Sequence, residues 1–306
     1  MSQFRSLSDS GDKWGHEGPS LLKLGQNPSG TDYFVGDLHG EGHLLDAALE
    51  HLGFNWKTDR LLSVGDLVDR GHSHRHLFKT IIGQPNFYSV LGNHDVHCWS
   101  LLQSYFNDGV WPKDPESEWI REFQSDDVWA IRNFLRGLPL AIHVTLSNGL
   151  RVGVVHADVP DRMVSFSDLA NISRDYLPML TAKSPIRSLL LGRTRAMIAG
   201  SLLRDYARND VQSDLANAQR LNEVGNDLDL IICGHSLCWT HRPFHMGNWL
   251  FLDTGAGYPI DAEKDAALSV VDFVRRRVAQ AFHQPSGGVS TREFVLADPF
   301  TISNAA

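Results

Sequence analysis

Leu61-Leu62-Ser63-Val64 runs directly into Gly65-Asp66-Leu67-Val68-Asp69-Arg70-Gly71. A short apolar run stopped by Gly-Asp reads as a buried strand that delivers polar side chains from its carboxyl end. The same arrangement stands on both sides of it. Upstream, Tyr33-Phe34-Val35 enters Gly36-Asp37-Leu38-His39-Gly40, and Leu44, Leu45, Ala48, Leu49 and Leu52 then follow at helical spacing. Downstream, Phe87-Tyr88-Ser89-Val90-Leu91 enters Gly92-Asn93-His94-Asp95, with helices predicted around Leu77 to Ile82 and from Val96 to Tyr105. Three strand–loop–helix units in succession predict parallel strands joined by right-handed crossovers. Their polar residues gather at strand carboxyl ends, where open α/β sheets bind ligands.

Working outward, residues 107–137 read as helical, with Val128 to Leu135 as their apolar part and Trp111, Trp119 and Trp129 expected in the core. Leu140–Leu146 and Leu150–Val155, joined by Ser147-Asn148-Gly149, predict a hairpin. The second of these strands ends in His156-Ala157-Asp158. Leu228–Cys233 leads into Gly234-His235-Ser236, Trp249–Leu252 leads into Asp253-Thr254-Gly255, and Ala267–Val274 is the last strand read before a segment without clear periodicity. The glycines and prolines of residues 1–30 predict a flexible arm ahead of one domain over 31–306, with a helical, loop-rich insertion at about 160–226.

With 306 residues, 42% hydrophobic and 21% charged, the composition is that of an ordinary globular protein. A net charge of −8 argues against general nucleic-acid binding, which needs basic faces. Cys98, Cys233 and Cys238 are too scattered for a disulfide framework or a thiolate metal site, and buried packing is expected of them. No apolar run approaches the ~20 residues that a bilayer requires, and residues 1–30 carry no signal-peptide core, so a cytoplasmic protein without a membrane partner is expected.

Taken singly, Asp or Asn beside Gly after a strand is more often a turn or a cap than a ligand, and a single histidine more often structural. The convergence of Asp37, His39, Asp66, Asp69, Asn93, His94, His156 and His235 on strand ends changes that reading. Imidazoles, carboxylates and a carboxamide together suit a pair of borderline-hard cations. Asp37 and His39, two apart on an extended segment, can reach one ion, and Asp66 can bridge it to a second. Two ions about 3.5–4 Å apart activate a bridging water and clamp phosphoryl oxygens.

These blocks resemble the three signature blocks of the PPP metallophosphatases, in the calcineurin-like metallophosphoesterase superfamily: Gly36–Gly40, Gly65–Gly71 and Gly92–Asp95, with the later histidines at His156 and His235. The resemblance implies a four-layer α/β/β/α sandwich and a metal-dependent phosphoesterase working with two divalent cations, Mn²⁺ first and Fe or Zn as alternatives. It implies Asp37, His39 and Asp66 at the first metal, and Asp66, Asn93, His156 and His235 at the second. His94 is then the general acid, Asp69 its orienting carboxylate and Arg70 a phosphate-gripping arginine. Arg193 is a second candidate for that grip, with Arg195 and Arg187 as alternatives. The attack implied is that of a metal-bridging hydroxide.

The substrate class divides two branches of the family. The runs Ser63–Gly71, Val155-His156-Ala157-Asp158-Val159-Pro160 and Asp253-Thr254-Gly255-Ala256 resemble the bacterial and bacteriophage lambda Ser/Thr protein phosphatases, which implies a phosphorylated protein as substrate. Leu91-Gly92-Asn93-His94-Asp95-Val96-His97 resembles the symmetrical dinucleoside tetraphosphate hydrolases, whose substrates are nucleotides. Protein phosphatases usually carry Arg and Glu at the positions of Leu91 and Asp95. More blocks match the first branch, so a Ser/Thr-type protein phosphatase is expected. A catalytically silent binding module is the third reading, and the intact set of ligand-type residues argues against it.

Overall fold

A computed structural model describes residues 17–109, 113–161, 163–172, 184–207, 220–222, 225–258 and 265–298. In chain order it contains β1 (Leu21–Leu24), β2 (Asp32–Val35), α1 (Gly42–Leu52), β3 (Arg60–Ser63), α2 (His74–Ile81), β4 (Phe87–Ser89), α3 (Asn93–Asp108), α4 (Ser125–Arg136), β5 (Ala141–Thr145) and β6 (Arg151–Val155). Then follow α5 (Pro185–Leu191), α6 (Thr194–Ala207), β7 (Leu230–Cys233), β8 (Phe244–Met246), β9 (Trp249–Phe251), β10 (Leu268–Asp272), β11 (Arg277–His283) and β12 (Val289–Val295).

The strands form two six-stranded sheets, ordered β1-β5-β6-β7-β9-β8 and β12-β11-β10-β2-β3-β4. As expected, β2, β3 and β4 pair in parallel. The β5–β6 hairpin is antiparallel, with Thr145 opposite Arg151. Alternation along the strands sorts the core in two. Phe34, Leu62, Val64, Ile142, Val154, Ile232 and Leu250 fill the space between the sheets. Tyr33, Val35, Leu61, Val155 and Ile231 face outward and pack with helical residues such as Leu45, Leu77, Leu135 and Leu189. Strands buried on both faces read as unbroken apolar runs, which is why they were legible. The result is the α/β/β/α sandwich.

Four expectations need correction. The flexible arm does not extend through residue 30, because β1 lies within it, paired in parallel with β5. Leu22 and Leu24 of that strand pack against the inter-sheet core. The segment after Ala267–Val274 holds two further strands, β11 and β12, antiparallel to each other. Their pattern escaped detection because β11 buries the polar Gln280 among its apolar residues, bonded to Ser269 Oγ, while β12 is half-buried or exposed along its length. Trp129 is not core: it is 54% exposed, beside the inward Val128 on α4, whereas Trp119 is buried and Trp111 lies outside the described residues. Helix α3 starts on Asn93 rather than Val96, since the Asp95 carboxylate accepts the Gly92 N–H at 2.9 Å and caps the first turn.

The described part of 160–226 contains 3₁₀ turns at Phe166–Asn171 and Arg220–Asn222 with α5 and α6 between them. Among the described residues no helix is long and apolar enough to cross a membrane. All three cysteines are buried thiols.

Candidate functional site

Both sheets end their central strands on one locus. Asp37 and His39 follow β2, Asp66 follows β3, and Asn93 and His94 open α3 after β4; His156 follows β6 and His235 follows β7 from the other sheet. His39, Asp66, Asp69, Arg70 and His235 all adopt positive φ, between 40° and 69°. Only His241 and Arg276 share that conformation among the described non-glycine residues. Such backbone costs about 1–3 kcal/mol per residue and persists where the surroundings dictate it. Gly234 and Gly92 let the loops close around the carboxylates. A Cβ on Gly234 would lie 2.0 Å from Asp37 Oδ1, and one on Gly92 would lie 2.2 Å from Asp66 Oδ1.

Asp66 is the centre of the arrangement. Its Oδ1 accepts the His94 N–H at 2.9 Å. Its Oδ2 stands 3.8 Å from His39 Nε2 and 3.4 Å from His156 Nε2. The tautomers follow from the opposite ring nitrogens. His39 Nδ1 donates to the Val68 carbonyl at 2.9 Å, and His156 Nδ1 to the Val64 carbonyl at 2.8 Å. Burial, with the nearby Arg70 and His94, holds His39 well below the ordinary imidazole pKa. Burial likewise brings His156 down to about 4, so both rings are neutral and both Nε2 atoms carry lone pairs.

His156 Nε2 also meets Asn93 Oδ1 at 3.0 Å. An imidazole, a carboxylate and a carboxamide that converge in this way form a donor set able to hold a divalent cation. His235 adds a second sign: its Nε2 is buried without a hydrogen-bond partner. Burial, His156 and Arg193 push its pKa down to about 2. The His235 backbone N–H donates to both Asp37 oxygens at 3.1 Å, tying the two sheets together at the site. Burial and then mutual repulsion with Asp253 raise Asp37 well above the carboxylate range, and burial lifts Asp66 to about 6. Carboxylates that resist ionisation alone gain from a bound cation.

His39, Asp66 and His94 form one group of convergent donor atoms, and Asp66, His156 and His235 form another. The donor set therefore fits two cations that share Asp66. Asp37 reaches this locus through His235, and Asn93 through His156.

Beside the donors, His94 Nδ1 meets Asp69 Oδ2 at 2.8 Å. Burial opposes ionisation of His94, but the Asp69 hydrogen bond and the Asp66 charge win, and its pKa rises. Arg70 spans the gap, with Nη1 3.0 Å from His39 Nε2 and Nη2 3.1 Å from His94 Nε2. Of the three later arginines, Arg193 is exposed, with its guanidinium 3.4 Å from Ser236 Oγ, next to His235. Arg195 is buried in ion pairs with Asp158 and Asp161, so it is occupied elsewhere. Arg187 is exposed on α5.

Sequence reasoning missed several supports of this site. Trp119 Nε1 and Ser117 Oγ donate to Asp69 Oδ1 at 3.1 and 3.4 Å, leaving Oδ2 for His94. The Tyr258 ring lies under the Arg70 guanidinium at 5.0 Å. Asp253 is buried within electrostatic reach of Asp37 and Asp66. Only Asp253 carried a visible signal, as part of Asp253-Thr254-Gly255 at a strand end; the others come from segments distant in sequence.

A sequence profile described as calcineurin-like phosphoesterase matches residues 33–238. The serine/threonine-protein phosphatase 2 of Escherichia coli is 34% identical over 131 residues, 42% of this chain and 58% of that one. A symmetrical bis(5'-nucleosyl)-tetraphosphatase of Erwinia tasmaniensis is 38% identical over 111 residues, 36% of this chain and 39% of that one. The chain thus spans less than two thirds of the length of either relative. A solved serine/threonine phosphatase from Saccharomyces cerevisiae superposes with a TM-score of 0.53 at 17% identity, over 92% of this chain and 85% of that one, a similarity of fold.

Proposed function

The chain belongs to the calcineurin-like phosphoesterase family and is a metallophosphoesterase; we propose that it is a phosphomonoesterase of the Ser/Thr protein phosphatase type, working with two divalent cations, Mn²⁺ foremost. The observation that carries this reading is the position of Asp66 Oδ2, between the lone pairs of His39 Nε2 and His156 Nε2. In this reading Asp37, His39 and Asp66 hold one ion, and Asp66, Asn93, His156 and His235 hold the other. When bound, the pair lowers the pKa of water and neutralises charge on the phosphoryl oxygens.

The chain's own residues account for the remaining steps. Arg70 presents a forked guanidinium toward the substrate phosphate and lies over the Tyr258 ring. Arg193 approaches from the His235 side, so the phosphate is gripped from two directions. His94, whose pKa its bond to Asp69 helps to raise, gives a proton from Nε2 to the departing oxygen once the phosphate has drawn the Arg70 N–H off that nitrogen. Asp69 orients the ring and stabilises its imidazolium form. Trp119 and Ser117 fix Asp69 in turn.

A second reading, the symmetrical dinucleoside tetraphosphate hydrolase, is favoured by Leu91. It is fully buried with its N–H on the Pro139 carbonyl, and so offers no cation where protein phosphatases usually place an arginine. The purified protein with Mn²⁺ is expected to hydrolyse p-nitrophenyl phosphate and phosphoserine peptides. Rapid cleavage of diadenosine tetraphosphate to two ADP, with phosphopeptides untouched, would select the second reading instead.

A further inference from the structure

We propose that Glu41, His72 and His283 form a third cation site, separate from the pair centred on Asp66 and suited to a borderline divalent ion such as Zn²⁺ or Co²⁺. The three come from the turn before α1, the turn before α2 and the end of β11. Glu41 is a carboxylate with only 1% of its surface exposed. Its Oε1 faces His72 Nδ1 at 3.3 Å and its Oε2 faces His283 Nε2 at 2.8 Å. The two rings stand nearly perpendicular, at 88°, with centroids 6.3 Å apart.

All three donor atoms lie within 4.8 Å of one another. A tetrahedral ion with bonds of about 2.0–2.1 Å sets neighbouring donors about 3.3 Å apart. Each carboxylate oxygen already faces one imidazole, so small movements bring one oxygen and the two ring nitrogens to that spacing. His72 can do so, because its side chain is 78% exposed. Glu41, in contrast, is held in place: a Cβ on Gly71 would lie 2.8 Å from its Oε1, so the turn after Arg70 packs directly on the carboxylate. The exposure of His72 leaves the fourth position open to water.

Two imidazoles with one carboxylate and an open fourth position are a donor set for zinc. Mn²⁺ binds such a site more weakly than Co²⁺ or Zn²⁺. An ion here would tie β11 to the turns that carry His39 and Arg70. The inference stands independently of the function proposed above.

The test is a metal count by inductively coupled plasma mass spectrometry on the full chain, equilibrated with Zn²⁺ and desalted, with circular dichroism confirming the fold. The parent is expected to carry three ions per chain and His72→Ala, an exposed position that poses little risk to folding, two. Glu41→Gln should match His72→Ala. A double variant Asp66→Asn/His156→Ala should keep one ion and lose it when His72→Ala is added. An equal count in parent and His72→Ala overturns the proposal. A parent count of one that His72→Ala abolishes supports this site and overturns the pair at Asp66 instead.

Discussion

The two ligand clusters proposed around Asp66 are assembled in different ways. Asp37, His39 and Asp66 hang from neighbouring parallel strands of one sheet, separated by fewer than thirty positions in the chain. His156 and His235 come from the opposite sheet and meet Asp66 and Asn93 only because the two sheets pack face to face. The first cluster is a local product of β-strand geometry. The second depends on the apolar layer of Phe34, Leu62, Val154 and Ile232 that sets the distance between the sheets. The link between them is the His235 N–H on the Asp37 carboxylate. Chemistry at the site therefore reports on the packing of the whole sandwich.

Removing what the clusters share should have the largest effect. Asp66→Asn is expected to empty both, and loss of several kcal/mol of Lewis-acid stabilisation corresponds to roughly 10³-fold or more in kcat. Steady-state kinetics paired with metal analysis would check this; a variant that kept both ions would break the account. His94→Asn removes none of the ligands in the proposed reading and should lower kcat by about 10²-fold or more on an alkyl phosphate, with metal content unchanged. The loss should be much smaller on p-nitrophenyl phosphate, whose leaving group needs little protonation. An equal loss on the two substrates would remove His94 from the acid role.

Gly234→Ala probes the link. Its Cβ would collide with Asp37 Oδ1, so the variant should bind metal about 10–100-fold more weakly, measurable by competition with a chelating dye. Asp69→Asn tests orientation by charge. The Asp69 hydrogen bond helps raise the His94 pKa, so its loss should move the alkaline limb of the kcat–pH profile to lower pH. A limb that stayed in place would mean that another group governs it.

The smallest effect is expected far from both clusters, at Asp227. Burial pushes this carboxyl up, but hydrogen bonds from Ser167, Ser165 and the Phe166 N–H outweigh it and hold the pKa below the usual range. A depressed carboxyl adds stability above its unfolded pKa of about 3.9, and that stability is lost as pH falls through the folded value. Asp227→Asn should therefore lower the melting temperature at neutral pH by an amount equivalent to about 1 kcal/mol, with the difference from the parent vanishing in strong acid. Its kcat should not change.

The contrast between the clusters also explains what the sequence revealed. Asp37, His39 and Asp66 sit in turns after apolar strands, Asn93 and His94 open the helix after a third, and a local pattern was enough to find them. His156 and His235 were legible for the same reason, although their meeting with Asp66 is a product of tertiary packing. Trp119 and Ser117 could not be read as partners of Asp69, because about fifty residues separate them and no periodicity encodes that contact. β1 was hidden for a similar reason: Leu21–Leu24 becomes a strand by pairing with β5, more than a hundred residues away. β12 lacks the apolar run that marked the inner strands, since its side chains are half-buried or exposed along its length. Trp129 shows the opposite failure, an aromatic side chain assigned to the core by type and placed by helical phase on the outside.

The central claim is that two cations sit on either side of the Asp66 carboxylate. Anomalous diffraction from crystals grown with Mn²⁺ would test it most directly. Two peaks about 3.5–4 Å apart, one beside His39 and the other beside His156 and His235, are the expected result. A single peak, or none within reach of Asp66, would contradict the account.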